Sequence, residues 1–205
     1  MGGESKDTLV ASLRGHVADE RVLAAIASVP RDAFVPADLQ DRAWDNEALP
    51  IGHGQTISQP LVVAHMCALL DVGPGDRVLD VGSGSGYHAA VLAALGAHVW
   101  SIERDADLSV VAGHNLRRAG VRGVELLVGD GTLGHPSEAP FDAVNVAAAA
   151  KDRVPRALTD QLAPGGRLVL PVGEQLVYVT RDRHGRLQQP RAHGAVRFVP
   201  LVGAD

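Results

Sequence analysis

The sequence predicts an α/β fold: a doubly wound, mostly parallel central sheet with a helical addition at the N-terminus. Three features point there. Arg77–Tyr87, RVLDVGSGSGY, reads as a buried strand, a tight glycine turn and the start of a helix. Short β-branched apolar runs and helix-patterned runs then alternate, as they do where helices cover both faces of a parallel sheet. An acid, Glu103, closes the second of these strands about 20 residues after the glycine turn, the spacing of the doubly wound βαβ unit. At 205 residues the chain is expected to form a single domain. Residues 1–60 supply helices and a functional loop, and residues 61–205 the α/β core and the C-terminal strands.

In chain order, Met1–Lys6 is expected to be a mobile tail. Asp7–His16 and Asp19–Ser28 read as short helices, with Leu23, Ile26 and Ala27 on the apolar face of the second. VPRDAFVP, residues 29–36, is a proline-bracketed connection in which Phe34 serves as a packing anchor. AWDNEALPIGHGQTISQP, residues 43–60, has few helix signals, yet Leu49, Ile51 and Ile57 are too apolar for plain disorder, so it reads as a functional loop. Thr56 and Ser58 flank Ile57, and an extended backbone turns both to one side. Ser58 has two readings, the N-cap of the next helix or a functional hydroxyl. Pro60 suits the first turn of that helix, Leu61–Leu70.

Val78, Leu79 and Val81 then make the first central strand, followed by a helix over Tyr87–Leu95. A strand over His98–Ile102, a helix over Ala106–Ala119 and strands over Val124–Val128 and Phe141–Val146 continue the alternation. Pro155–Leu162 reads as a helix closed by the APGG of residues 163–166 as C-cap and turn. Arg167–Val172, Gln175–Arg181 and Val196–Leu201 read as strands, with Asp182–Gly185 at a hairpin tip.

The glycine turn departs from the dinucleotide fingerprint G-x-G-x-x-G, because Tyr87 stands where the third glycine belongs. The run is D-x-G-x-G-x-G, formed by Asp80, Gly82, Gly84 and Gly86. An acid ahead of the turn repels a pyrophosphate and suits a cationic amino group, while Glu103 is placed for ribose hydroxyls. A ligand with a ribose, an amino acid portion and no phosphate satisfies both acids, and S-adenosylmethionine is such a ligand. The alternative is a glycine turn that serves fold geometry alone; agreement of strand, turn and second acid weighs against it.

Composition excludes other classes. The net charge is −5 and there is no Lys/Arg run, which argues against nucleic acid or an anionic membrane as partner. Cys67 is the single cysteine, so no intrachain disulfide forms, in keeping with a reducing cytoplasm. It lies in an apolar helix and is expected in the core. No apolar run is long enough to span a membrane, and the N-terminus lacks a signal-type apolar region. The nine histidines are scattered without ligand spacing, so no metal is expected.

The chain resembles the protein-L-isoaspartate O-methyltransferase family. The resemblance is carried by VPRDAFV, AWDNEALPIGHGQTISQP, LDVGSGSGY, VGDG, APFDAV, LAPGGRLVLPVG and VRFVPL, in the family's order from Val29 to Leu201. The glycine motif alone would indicate only a Rossmann-like class I methyltransferase; GQTISQP narrows it. The resemblance implies S-adenosylmethionine as cofactor and S-adenosylhomocysteine as product. It implies that Ser58 is catalytic and meets the substrate, and that Thr56, Ile57 and Ser58 adjoin the cofactor. It also implies that Asp130 and Gly131 hold the adenine end and that the C-terminal part, Val199 included, holds the substrate backbone. The implied partners are damaged proteins or peptides containing L-isoaspartyl residues, and the implied enzyme is a cytoplasmic monomer.

One loop departs from the family. AAAAKDRVP, residues 147–155, places Lys151 where a proline is expected, and Asn145 stands where a histidine is common. Lys151 and Arg153 are candidates for contact with a substrate carboxylate, against a plain solvated loop. The implied chemistry needs no general base, since an α-carboxylate with a pKa of about 3.5 is ionised at neutral pH. Positioning and removal of water remain. Three rival readings stand beside this one: a methyltransferase acting on ordinary aspartate of a peptide precursor, a dinucleotide-binding oxidoreductase, and a cofactor-binding module without turnover.

Overall fold

The computed structural model describes residues 3–203. Met1 and Gly2, the start of the expected mobile tail, lie outside the described residues. The rest of that tail is held: the Glu4 N–H donates to Asp45 Oδ1, and the Ser5 hydroxyl caps helix α1 (Lys6–Arg14). Helix α2 (Glu20–Ser28) starts at its Asp19 cap and buries Val22, Leu23, Ala25 and Ile26, with Ala27 only half-buried. The proline-bracketed connection coils into a 3-10 turn, Arg31–Phe34, and Phe34 anchors it by packing edge-on to Tyr87. The segment from residue 43 to 60 is more regular than expected. It contains an antiparallel hairpin of β1 (Leu49–Gly52) and β2 (Gln55–Ile57), and runs into helix α3 (Pro60–Leu70) with Pro60 in its first turn.

The central sheet has seven strands: β3 (Arg77–Val81), β4 (His98–Glu103), β5 (Val124–Val128), β6 (Phe141–Val146), β7 (Leu162–Val172), β8 (Gln175–Thr180) and β9 (Arg191–Ala195). Their order is β5-β4-β3-β6-β7-β8-β9, parallel from β5 to β7 and antiparallel for the last two. Helices α4 (Tyr87–Ala94), α5 (Ala106–Arg118) and α6 (Arg156–Asp160) connect β3 to β4, β4 to β5 and β6 to β7, while β5 runs to β6 through a 3-10 turn, Gly131–Leu133. Strand β3 is buried on both faces, as the middle of a doubly wound sheet must be. Val78 joins the core beneath α1–α4, and Leu79 and Val81 join the core on the opposite face with Trp100, Phe141 and Leu168. The order reverses between β3 and β6, which opens a crevice at their carboxyl ends.

Two expectations at the C-terminal end are corrected. Helix α6 is short, and Ala163–Gly166 is not its cap but the first part of β7. The Gly165 N–H donates to Arg181 O and the Arg181 N–H to Gly166 O, so the glycines are drawn into the sheet by β8. The final strand among the described residues is β9; the Val196 N–H still donates to Glu174 O, and residues 197–201 leave the ladder. There the Ala149 N–H donates to Val199 O and the Leu201 N–H to Ala149 O, so this segment crosses to the loop after β6. It thereby roofs the carboxyl ends of the strands.

Candidate functional site

The crevice holds a cavity of about 460 Å³, a size typical of ligand pockets. Its floor is the glycine turn after β3. Gly82 and Gly84 have φ of 90° and 53°, backbone that favours glycine, and both lie on the cavity wall. Gly86 does not. A Cβ there would sit 3.2 Å from Leu116 Cγ and 3.4 Å from Ala112 O, so Gly86 serves the close approach of α4 and α5 rather than a ligand.

Four of the turn's N–H groups are spent within the protein. Those of Gly82 and Ser83 point to Ile102 O, that of Gly86 to Ser83 O, and that of Gly84 to Glu103 Oε2 at 3.0 Å. A phosphate cradle needs such donors open, and a carboxylate already occupies this one. Glu103 is buried at the end of β4, on the cavity wall, with its other oxygen accepting the Asp105 N–H at 3.1 Å. Each oxygen retains acceptor capacity. An anchored carboxylate without a phosphate cradle fits a nucleoside with free ribose hydroxyls. Across the mouth, His53 at the β1–β2 tip meets Asp105 Oδ2 at 2.8 Å and ties the hairpin to the start of α5.

Asp80 lies elsewhere than expected. It is fully buried, does not reach the cavity wall, and is directly aligned with Ser101 on β4 and Asn145 on β6. Ser101 Oγ donates to one of its oxygens at 2.6 Å and Asn145 Nδ2 to the other at 2.7 Å. Burial pushes its carboxyl up to about 6, against the lowering effect of those two donors. With its hydroxyl proton on Asp80, Ser101 accepts from Ser83 Oγ of the glycine turn, 2.7 Å away. Asn145 also reaches His88 Nδ1 at 3.2 Å, which leaves the ring proton on Nε2, facing Cys67 Sγ at 3.5 Å. Burial holds the His88 ring neutral, pushing it down to about 4. Asp80 therefore supports the turn from behind, and its carboxylate is not on the cavity wall. Asn145, where the family resemblance led to a histidine, belongs to the same buried network.

Thr56, Ile57 and Ser58 all line the cavity. Ile57 is buried, and its neighbours flank it on the other side of the strand, as alternation requires. The N-cap reading of Ser58 fails: Gln59 occupies the cap position of α3, and Asn46 Oδ1 accepts the Leu61 N–H at 3.1 Å. A second, more open cavity of about 670 Å³ runs along the outside, between the start of α3 and residues 195–199. Thr56, Ser58 and Val199 belong to the walls of both cavities.

Gly131 is on the wall of the inner cavity, and a Cβ there would collide with Val81 Cγ1. Asp130 is not on that wall; its carboxylate caps the 3-10 turn Gly131–Leu133 through the Thr132 N–H at 2.8 Å and hydroxyl at 2.6 Å. Lys151 and Arg153 are exposed and line neither cavity, whereas Ala147 and Ala148 of the same loop line the inner one. Sequence reasoning passed over Tyr87, His88 and these alanines. The first two open the helix straight after the glycine turn, a position that was itself a signal. Cys67 is buried and its thiol is pushed up by that burial, so it is core. Among the described residues no group of side chains suits a metal ion, and no helix is long and apolar enough to cross a membrane.

Comparison with known proteins gives a consistent set of relatives. Residues 4–205 match the family model described as Protein-L-isoaspartate(D-aspartate) O-methyltransferase. A protein-L-isoaspartate O-methyltransferase of Methanothrix thermoacetophila is 50% identical over 204 residues, covering 97% of this chain and 95% of that one. One from Aeromonas hydrophila is 52% identical over 190 residues, covering 92% of each. Among solved structures, a Plasmodium falciparum protein assigned to the same activity, in complex with S-adenosyl-L-homocysteine, aligns with a TM-score of 0.84 at 27% identity, covering 97% of this chain and 99% of that chain. Another solved protein-L-isoaspartate O-methyltransferase aligns with a TM-score of 0.85 at 25% identity over 97% of this chain, which spans 66% of that longer chain.

Proposed function

The chain belongs to the protein-L-isoaspartate(D-aspartate) O-methyltransferase family, and on that premise we propose how its residues divide the work. The enzyme is an S-adenosylmethionine-dependent protein carboxyl O-methyltransferase that esterifies the free α-carboxylate of L-isoaspartyl residues. The cofactor supplies an electrophilic methyl group on a sulfonium and leaves as S-adenosylhomocysteine. The observation that carries the division of labour is the shared wall: Thr56, Ser58 and Val199 lie between the inner cavity and the outer groove. The inner cavity takes the cofactor and the outer groove takes an extended polypeptide, so their junction is where a carboxylate meets a methyl group.

In the inner cavity Glu103 accepts hydrogen bonds from the ribose hydroxyls, and Gly82 and Gly84 allow close approach of the amino acid portion. Gly131 lines the adenine end, with Asp130 shaping the turn that carries it. Ile57 seals the hairpin against the core. The Ser58 hydroxyl donates to one carboxylate oxygen of the acceptor and leaves the other free for attack. The backbone around Val199 holds the acceptor chain. No side chain takes a proton from the nucleophile, because a carboxylate with a pKa of about 3.5 is already ionised. The hairpin and the C-terminal roof exclude water, which strengthens the pairing of carboxylate and donor.

The dinucleotide reading is disfavoured by the committed N–H groups of the glycine turn. The net charge of −5 supports damaged proteins as partners over nucleic acid or an anionic membrane, and a single buried cysteine suits a cytoplasmic setting. Methylation of paired peptides that differ only in aspartyl or isoaspartyl linkage tests the substrate. Exclusive turnover of the isoaspartyl member is expected; preference for the normal member would overturn the repair reading in favour of modification of ordinary aspartate.

A further inference from the structure

Arg31 carries the largest of the fully buried side chains. Its partners are carbonyl oxygens, not carboxylates. Nε donates to Ala43 O at 2.8 Å, and Nη2 to Ser58 O at 2.8 Å and Glu47 O at 3.4 Å. Nη1 has no hydrogen-bond partner, and the guanidinium carbon lies 4.7 Å from the centre of the Tyr87 ring. A buried cation held by neutral dipoles and a ring face is an expensive way to fill space; apolar residues of similar volume usually do so at lower cost.

The geometry of its contacts supplies the reason. All three carbonyls belong to the segment that carries the hairpin and ends at Ser58. The ring belongs to Tyr87, the first residue of α4, which lines the inner cavity straight after the glycine turn. One side chain thus grips the acceptor side of the site through the Ser58 carbonyl and rests on the cofactor side through Tyr87. The planar fork matters: Nε and Nη2 donate from two fixed points to three carbonyls, whereas an ammonium's three donors all radiate from one atom on a flexible stem.

We infer that Arg31 is a positioning residue for methyl transfer, holding the Ser58 backbone in register with the cofactor cavity. The inference rests on the reading of Ser58 at the reacting carboxylate. It is tested with Arg31→Lys, which keeps the charge and loses the fork, and Arg31→Met, which keeps volume alone, each with and without Ser58→Ala. The readouts are kcat and KM for an isoaspartyl peptide, affinity for S-adenosylhomocysteine, and Tm, with kinetics run well below every Tm. A misplacement of about 1 Å costs on the order of a hundredfold, so kcat should fall roughly ten- to a hundredfold in both Arg31 variants. Cofactor affinity should stay within about threefold, and the loss should shrink towards nothing in the Ser58→Ala background, because coupled residues are not additive. Arg31→Lys decides the matter if Arg31→Met does not fold. A folded Arg31→Lys enzyme with unchanged kcat, or one whose loss persists in full beside Ser58→Ala, would overturn the inference and leave Arg31 a folding residue. Normal turnover by Ser58→Ala itself would instead overturn the reading of Ser58.

Discussion

Replacing Asp80 with asparagine should expose an acid sensitivity that the wild-type protein conceals. Burial raises the Asp80 carboxyl from 3.8 to about 6. Across that window the folded protein keeps a proton that the unfolded chain has released, so this group's contribution to stability falls as pH rises. Burial lowers the His88 ring from 6.5 to about 4. Across that window the unfolded chain binds a proton that the folded protein refuses, so this contribution falls as pH drops. Each slope is about 1.4 kcal/mol per pH unit, and the two oppose each other over nearly the same range. Asp80→Asn removes only the first. Over about two pH units the variant should therefore lose about 3 kcal/mol relative to wild type as pH falls from 6 to 4. Asparagine can still accept from Asn145 and donate to Ser101, so the network survives. Urea unfolding at a series of pH values between 4 and 7, for wild type and variant side by side, measures the difference directly, and other titrating groups cancel in it. Parallel stability curves would show that Asp80 titrates as an ordinary carboxylate, and the picture of a sealed acid beneath the glycine turn would have to be given up.

Other outcomes follow from the same geometry. Glu103→Ala should weaken S-adenosylhomocysteine binding roughly ten- to a hundredfold, the worth of one charge-assisted hydrogen bond, with a smaller effect on kcat at saturation; calorimetric titration checks this, and unchanged affinity removes Glu103 from the ribose. Ser58→Ala should suppress methyl transfer with cofactor binding and stability intact, whereas Asn46→Ala should cost about 1 kcal/mol of stability through the lost cap of α3, so chemical denaturation of the two variants separates the roles. The product ester should release methanol without an esterase. The next residue's amide nitrogen attacks the ester within the same chain, with a large effective concentration, and closes a succinimide that water opens to aspartyl or isoaspartyl peptide. Labelled cofactor followed into volatile product and peptide forms checks this, and an ester persisting for days at neutral pH would place the methyl group elsewhere.

Much of the site was legible in the chain because it depends on local backbone demands. A strand that ends in alternating glycines can hardly be anything but a tight turn into a helix, and strand alternation fixes the side on which Thr56 and Ser58 emerge around Ile57. Glu103 could be placed because the length of one helix and one strand fixes where the next strand ends. The contents of the motif were another matter. Asp80 and Gly86 look like parts of the same ligand loop as Gly82 and Gly84. Asp80 is withdrawn because pairing across the sheet sets Ser101 and Asn145 beside it, and Gly86 because α5 packs against α4 at that point. The cap of α3 comes from Asn46 and not from the serine next to the helix, and Arg31 reaches the Ser58 carbonyl from 27 residues earlier in the chain. Residues 196–201 have a strand's pattern, but Val199 and Leu201 spend their hydrogen bonds on Ala149. Sequence spacing specifies local conformation, and a side chain's direction along its own strand; which partner waits in that direction depends on elements that meet only once the chain has folded, and that choice separated the residues facing the cavity from those that hold it in shape.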